Sequence, residues 1–175
     1  YSHVLFEKSI IRRKKLLKRY ISMIADIVDE RFIKAHGVGQ KAIVFCTLVE
    51  MCQLVTMELQ RRYPDYRVFC YAEGSDYNTM LTADLIVSTL KSAGTAVDIP
   101  QLKMVLMTDA LSSTQLNLQV MGRLRRLKEG PYSTPLFLFL VCQDIKKHVE
   151  YHQTKKVLLS TEVLSQKVYH SPYRL

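Results

Sequence analysis

The chain has 175 residues, of which 48% are hydrophobic and 23% charged, enough apolar material for one well-cored domain and too much for a disordered segment. No apolar run approaches the roughly 20 residues of a membrane span, and the basic, amphipathic N-terminus has no continuous apolar core of the signal-peptide kind. The formal net charge of +9 is uneven: residues 1–36 hold nine Lys/Arg against four Asp/Glu, a pattern that suits a polyanionic partner.

Residues 6–35 read as one or two helices. Apolar Ile10, Leu16, Leu17, Ile21, Ile24, Ile27 and Val28 recur mostly at three- and four-residue steps. Arg12, Arg13, Lys14, Lys15, Lys18 and Arg19 cover the opposite face, which would either touch nucleic acid or keep the helix solvated. His36-Gly37-Val38-Gly39 stops the helix. Strands are then expected over 42–46, 67–71, 85–89, 104–107 and 136–141, all short apolar runs rich in β-branched or aromatic residues. Between them, Thr47 reads as a cap for a helix whose apolar face carries Leu48, Cys52, Val55 and Leu59. Further helices are expected over 114–127 and 144–152, and the tail from Ser160 is weakly patterned. Buried strands alternating with helices mean a parallel α/β sheet.

A parallel sheet binds ligands at the carboxyl ends of its strands, which places Thr47, Thr89 and Asp109 on one edge. An Asp at a strand end is more often a helix cap, the other reading of Asp109. Ser92-Ala93-Gly94-Thr95 is a small-residue loop that a phosphate can approach, and Asp98 after it is placed to accept from a ribose hydroxyl or to orient an arginine. Gln119-Val120-Met121-Gly122-Arg123-Leu124-Arg125-Arg126 concentrates three guanidinium groups, the side chain best matched to phosphate oxygens.

The stretch from Ser88-Thr89 through Gly94-Thr95 to Asp98-Ile99-Pro100 resembles motif V of superfamily 2 helicases, in their second RecA-like domain. Gln119 to Arg126 is similar to motif VI, and Ile43-Val44-Phe45-Cys46-Thr47 to motif IV, in the family's order over residues 40–145. The wording around Gly94 to Pro100 is similar to helicases of bacteriophages and large DNA viruses, including repair enzymes. The resemblance implies an α/β RecA-like parallel sheet over 37–160, preceded by a basic helical segment over 1–36 and followed by a tail or packing helix over 161–175. It implies arginine fingers at Arg123 and Arg126, with Gln119 positioning the attacking water or the terminal phosphate. Gly94, Asp98 and Gly122 would touch nucleotide. Thr47, Ser88, Thr89, Lys91 and Thr95 would hold a nucleic-acid backbone, DNA rather than RNA. The implied cofactors are ATP and Mg2+, bound mainly by a first RecA-like domain of the same protein.

Two departures qualify the match. Only residues 73–84 separate the second strand from motif V, so the helix usually found there is short or absent, and Tyr71-Ala72-Glu73-Gly74 carries no assigned role. There is also no GxxxxGK[ST] loop and no acidic strand end of the DEAD type, so the chain alone is expected to be inactive on ATP. It starts at Tyr1 instead of Met, which suits a piece of a longer protein. The reading from another class is a non-enzymatic α/β module that docks nucleic acid or an acidic protein. Cys46, Cys52, Cys70 and Cys142 form no CxxC pair and suit free thiols in a reducing, intracellular compartment. His148 and His152 sit four residues apart but lack a third ligand, so no metal site is expected from them.

Overall fold

The structure is a computed structural model, and it describes residues 1–93, 98–124, 127, 130 and 132–172. β1 (Lys41–Cys46) is the central strand of a five-stranded sheet. It lies between β3 (Leu85–Thr89) and β4 (Leu102–Met107), with β2 (Val68–Tyr71) beyond β3 and β5 (Leu136–Phe139) beyond β4. Every pairing is parallel. The three inner strands are buried along their whole length and the two edges only partly, the burial a sheet covered on both faces demands. All five expected strands are present. β4 starts at Leu102 instead of Met104, and β5 stops at Phe139, two residues short of Val141.

Alternation along each strand builds two cores. Ala42, Val44, Cys46, Leu85, Val87, Met104 and Leu106 face one side. There they meet α1 (His3–Ile11), α2 (Lys14–Val28), a π-helical turn (Asp29–Ile33) and α3 (Val49–Arg62). Ile43, Phe45, Ile86, Val105 and Met107 face the other side and meet Met80, Ala93 and Val120. Those three come from α4 (Tyr77–Thr82), α5 (Leu90–Ala93) and α6 (Thr114–Met121). α4 is the short helix expected before motif V. α6 ends at Met121, not at Leu127, because after the last helical bond, from the Gly122 amide to the Leu118 carbonyl, the Arg123 and Leu124 amides bond only three residues back, to Val120 and Met121. α7 (Lys146–Leu158) lies at the β5 edge, with the Lys155 ammonium 4.7 Å from the Phe139 ring centre. It starts two residues later and runs six residues further than the expected 144–152.

The basic N-terminal stretch is built into the domain. Tyr20, Met23, Ile24 and Val28, on one side of α2, are buried in the first core with Ile10 and Phe32. Arg62 at the end of α3 ties the two helices, donating to the Ser22 hydroxyl at 2.8 Å and to the carboxylates of Asp26 and Glu58.

Lys41 starts β1 as a buried cation, donating from Nζ to the carbonyls of Leu81 and Ala83. Burial lowers its pKa, against the pull of the Asp84 carboxylate. Lys41→Met should lower unfolding stability by about 1–3 kcal/mol, because two carbonyls at the end of α4 lose their donor. Denaturant unfolding checks this, and an unchanged midpoint would show that water replaces the ammonium at no cost. No helix among the described residues is long and apolar enough to cross a membrane, and all four cysteines are free.

Candidate functional site

Three groups of side chains gather at or near the strand carboxyl ends. The first lies beyond β1 and β4. Thr47 does not cap α3 with its hydroxyl: the N-cap is Leu48, with no side-chain bond of its own. The hydroxyl donates instead to the Asp109 carboxylate. The helix is capped from elsewhere, since Glu7 of α1 accepts the Thr47 amide at 2.9 Å and the Leu48 amide at 2.8 Å. Asp109 is buried against this group and starts no helix.

His3 sits over both carboxylates, its Nε2 3.9 Å from Glu7 and 3.7 Å from Asp109. The three groups place one ligand-type atom each within 4.8 Å. Backbone amides decide what they do. Cys142 donates to His148 Nδ1 at 3.2 Å, which puts the His148 proton on Nε2, toward the Tyr1 hydroxyl. Tyr1 in turn lies 2.9 Å from His3 Nδ1, which also accepts the Ala110 amide at 3.3 Å. The His3 proton is thereby assigned to Nε2 and faces the two carboxylates, but at 3.9 and 3.7 Å it makes a hydrogen bond to neither. Burial pushes Glu7 up to about 7 although the Thr47 amide pulls it down. Burial likewise pushes Asp109 up to about 6, opposed by the Thr47 hydroxyl and Lys155. His148 is occupied at both nitrogens and His152 packs on Phe139, so the i, i+4 pair shares no ligand.

The second group lies beyond β2 and β3. Tyr71, Ala72, Glu73 and Gly74 line a recess of about 260 Å³ with Lys91 and Ser92. Lys91 is exposed and pairs with Glu73 at 3.0 Å, a solvent-screened contact of small energy. Thr89 is buried and turned toward its own chain, its Oγ1 2.9 Å from the Ser92 hydroxyl and accepting the Ser92 amide. Ser88 corrects the expectation of a strand contact. It is fully buried within β3 and donates to the Tyr71 carbonyl at 2.6 Å, so no part of it faces solvent. The pleat puts Ser88 on the face of Ile86, and from there its hydroxyl reaches the carbonyl of Tyr71, its register partner in β2.

The third group joins the loop after α5 to the turn after α6. Arg123 is half-buried; burial lowers its pKa, and the negative charge of Asp98 opposes that shift. The two residues, 25 positions apart in sequence, are therefore electrostatic neighbours. Asp98 is exposed, and its carbonyl accepts from the Tyr77 hydroxyl at 2.8 Å, which ties the loop to α4. Gln119 is exposed on α6 one turn before Arg123, and Gly122 between them is the exposed C-cap. A Cβ at Gly122 would stand 3.2 Å from the Leu118 carbonyl, a tight fit that favours glycine. Leu124 packs into the second core and Leu127 is buried, which anchors the turn. Arg126, Gly94 and Thr95 lie outside the described residues, as does Arg125.

No protein-family model matches the chain, and no curated protein matches it in sequence. Solved structures do match in shape. S. cerevisiae Dbp5 bound to Gle1 and IP6 superposes with a TM-score of 0.58 at 13% identity, covering 81% of this chain and 37% of that one. The chain has a RecA-like fold. The C-terminal part of the Fun30 ATPase domain matches this RecA-like domain with a TM-score of 0.56 at 12% identity over 86% of the chain and 53% of that one. Mss116p DEAD-box helicase domain 2, bound to an RNA duplex, gives 0.53 at 17% identity over 78% of the chain and 54% of that one. The RecA-like domain thus spans about half or less of each matched chain. The residues that sequence reasoning passed over are Glu7, His3 and Lys155. A lone acid in a basic helix gives no sign that it caps a helix 40 residues away.

Proposed function

We propose that this chain is the second motor domain of an ATP-dependent nucleic-acid helicase or translocase of superfamily 2. One observation carries the reading: Arg123, in the motif VI-like run, sits on a half-buried turn anchored by Leu124, within reach of the charge of Asp98 in the motif V-like run. A guanidinium on a packed turn is partly oriented before any phosphate arrives, so less ordering cost remains when one does. The RecA-like fold and the order of the three motif-like runs support the same reading.

In the whole enzyme, Arg123 would meet the terminal phosphate of ATP held by a first motor domain. That domain would supply the phosphate loop and the magnesium carboxylates absent from this sequence. Gln119, exposed one turn earlier, would line the same cleft, and Arg126 is assigned as a second finger on the resemblance alone. Asp98 and Gly122 would shape the nucleotide side of the cleft, with Gly94. Lys91, beside the recess after β2, and Thr95 would contact the strand backbone. Thr47 would present its amide-anchored loop, held by Glu7 and Asp109. The comparisons do not single out DNA, since the Mss116p structure holds an RNA duplex. The nucleic acid is therefore left as either kind.

The test is ATP hydrolysis by the full-length protein with and without single-stranded and duplex DNA or RNA. Nucleic-acid-stimulated turnover is expected, and the present 175 residues alone should give none. A full-length protein that binds nucleic acid but hydrolyses no ATP would be a binding module instead.

A further inference from the structure

We infer that Lys15, Lys18 and Arg19 of α2 form a second nucleic-acid contact, separate from the carboxyl edge of the sheet, that grips the phosphate backbone. The inference rests on the functional reading above. With Ser22, these residues sit at positions i, i+3, i+4 and i+7 and therefore form one stripe along the helix. They line a shallow recess of about 330 Å³.

All three cations are exposed, and none forms an ion pair among the described residues. Several cations elsewhere are paired. Lys34 has Asp29, Arg61 has Glu58, Arg62 has Asp26 and Glu58, Arg67 has Asp84, and Lys147 has Glu150. Arg12, Arg13 and Lys14, just before the stripe, are exposed and unpaired in the same sense, so like charges repel along the whole corner between α1 and α2.

Three features favour nucleic acid over an acidic protein. The recess is lined by no aromatic or aliphatic residue, its apolar surface being the stems of the lysines and the arginine, so it offers no buried anchor of the kind that carries protein interfaces. The row is linear: from Lys15 to Arg19 it rises about 6 Å, at 1.5 Å per residue. One strand of a duplex carries a phosphate about every 3.4 Å along the axis, so three cations match about three phosphates. The row is also rigid, because Tyr20, Met23 and Ile24 behind it are buried. With no ring to stack a base, such a contact positions a strand without reading its sequence. It lies on the α3 side of the sheet, whereas Arg123 follows α6 on the opposite side, so the two can be altered independently.

The experiment uses full-length protein carrying Lys15→Gln, Lys18→Gln and Arg19→Gln together. Affinity for a labelled single strand and for a duplex is measured from about 50 to 300 mM salt. The slope of log K against log salt should shrink by about 2 to 3, and affinity at low salt should fall about 10- to 100-fold. The unfolding midpoint should hold or rise, since only exposed like charges are removed. Lys15→Arg with Lys18→Arg should keep the parent slope. An unchanged slope in the triple glutamine variant overturns the inference and leaves the row to an acidic protein or to solvent. If that variant keeps the slope while the parent binds and shows stimulated ATPase, only this inference falls. If the parent binds no nucleic acid, the functional reading falls with it.

Discussion

Replacing Arg123 by alanine in the full-length protein should lower nucleic-acid-stimulated ATP hydrolysis by about 10³-fold or more. The effect should lie in kcat, with KM for ATP changed far less, because a finger acts on charge that develops in the transition state. Folding should be nearly untouched, since Leu124 and Leu127 keep the turn anchored when the guanidinium is gone. Arg123→Lys should recover only part of the rate, because an ammonium has the charge without the planar fork of donors. Asp98→Asn offers a finer probe. It keeps the backbone carbonyl that Tyr77 binds and removes the charge beside Arg123, so a loss of about tenfold would mark Asp98 as a positioning residue. Steady-state kinetics with saturating nucleic acid checks all three, and wild-type turnover in the alanine variant would remove the finger assignment.

The largest stability effect is expected at Glu7. Glu7→Ala should cost about 2–4 kcal/mol, because the Thr47 and Leu48 amides lose their only capping group and a buried space opens between α1 and the end of β1. Glu7→Gln should cost less but still destabilise, since its NH2 would face one of the two amides. The pH dependence is a second signature. Burial raises Glu7 from 4.5 to about 7 and Asp109 from 3.8 to about 6, so the folded state holds these protons more tightly than the unfolded chain. Their contribution is complete below the unfolded values and is lost as pH rises through about 6 and then about 7. His3 and His148 run the other way. Burial lowers them from 6.5 to about 3 and about 4, and for His3 the neighbouring His148 and Lys155 add to the shift. Their contribution is complete above 6.5 and is lost as pH falls toward those values. The two limbs oppose each other up to about 6.5, and the decline that Glu7 carries is complete near 7, above which none of these groups adds further slope. In Glu7→Ala most of the decline on the alkaline side should vanish. Thermal unfolding from pH 4 to 8 reads both limbs, and a variant with the parent's alkaline slope would show that Glu7 does not carry it.

Much of the sheet was legible because a strand buried on both faces must be apolar along its length. Lys41 to Cys46, Leu85 to Thr89 and Leu102 to Met107 obey that rule, and their edges were read within two residues. That the loops carrying Asp98 and Arg123 come to one edge was also readable, because a parallel sheet delivers them there. Ser88 was not readable: serine suits a phosphate contact and a buried hydroxyl equally well, and only the neighbouring carbonyl of Tyr71 separates the two. Thr47 failed in a related way. A threonine before a helix is a good cap, but Asp109 took its hydroxyl and Glu7 took the amides.

By itself, the sequence determined a parallel α/β sheet, the short α4 and the placing of the motif-like runs at strand ends, because periodicity and local turn chemistry act over a few residues. Only the tertiary structure decided that the basic N-terminal stretch belongs to the core, and that Tyr1, His3 and Glu7 close over the ends of β1 and β4. Those contacts join residues 40 to 147 positions apart, and hydrogen bonds at that separation depend on how the layers pack, which no local pattern encodes.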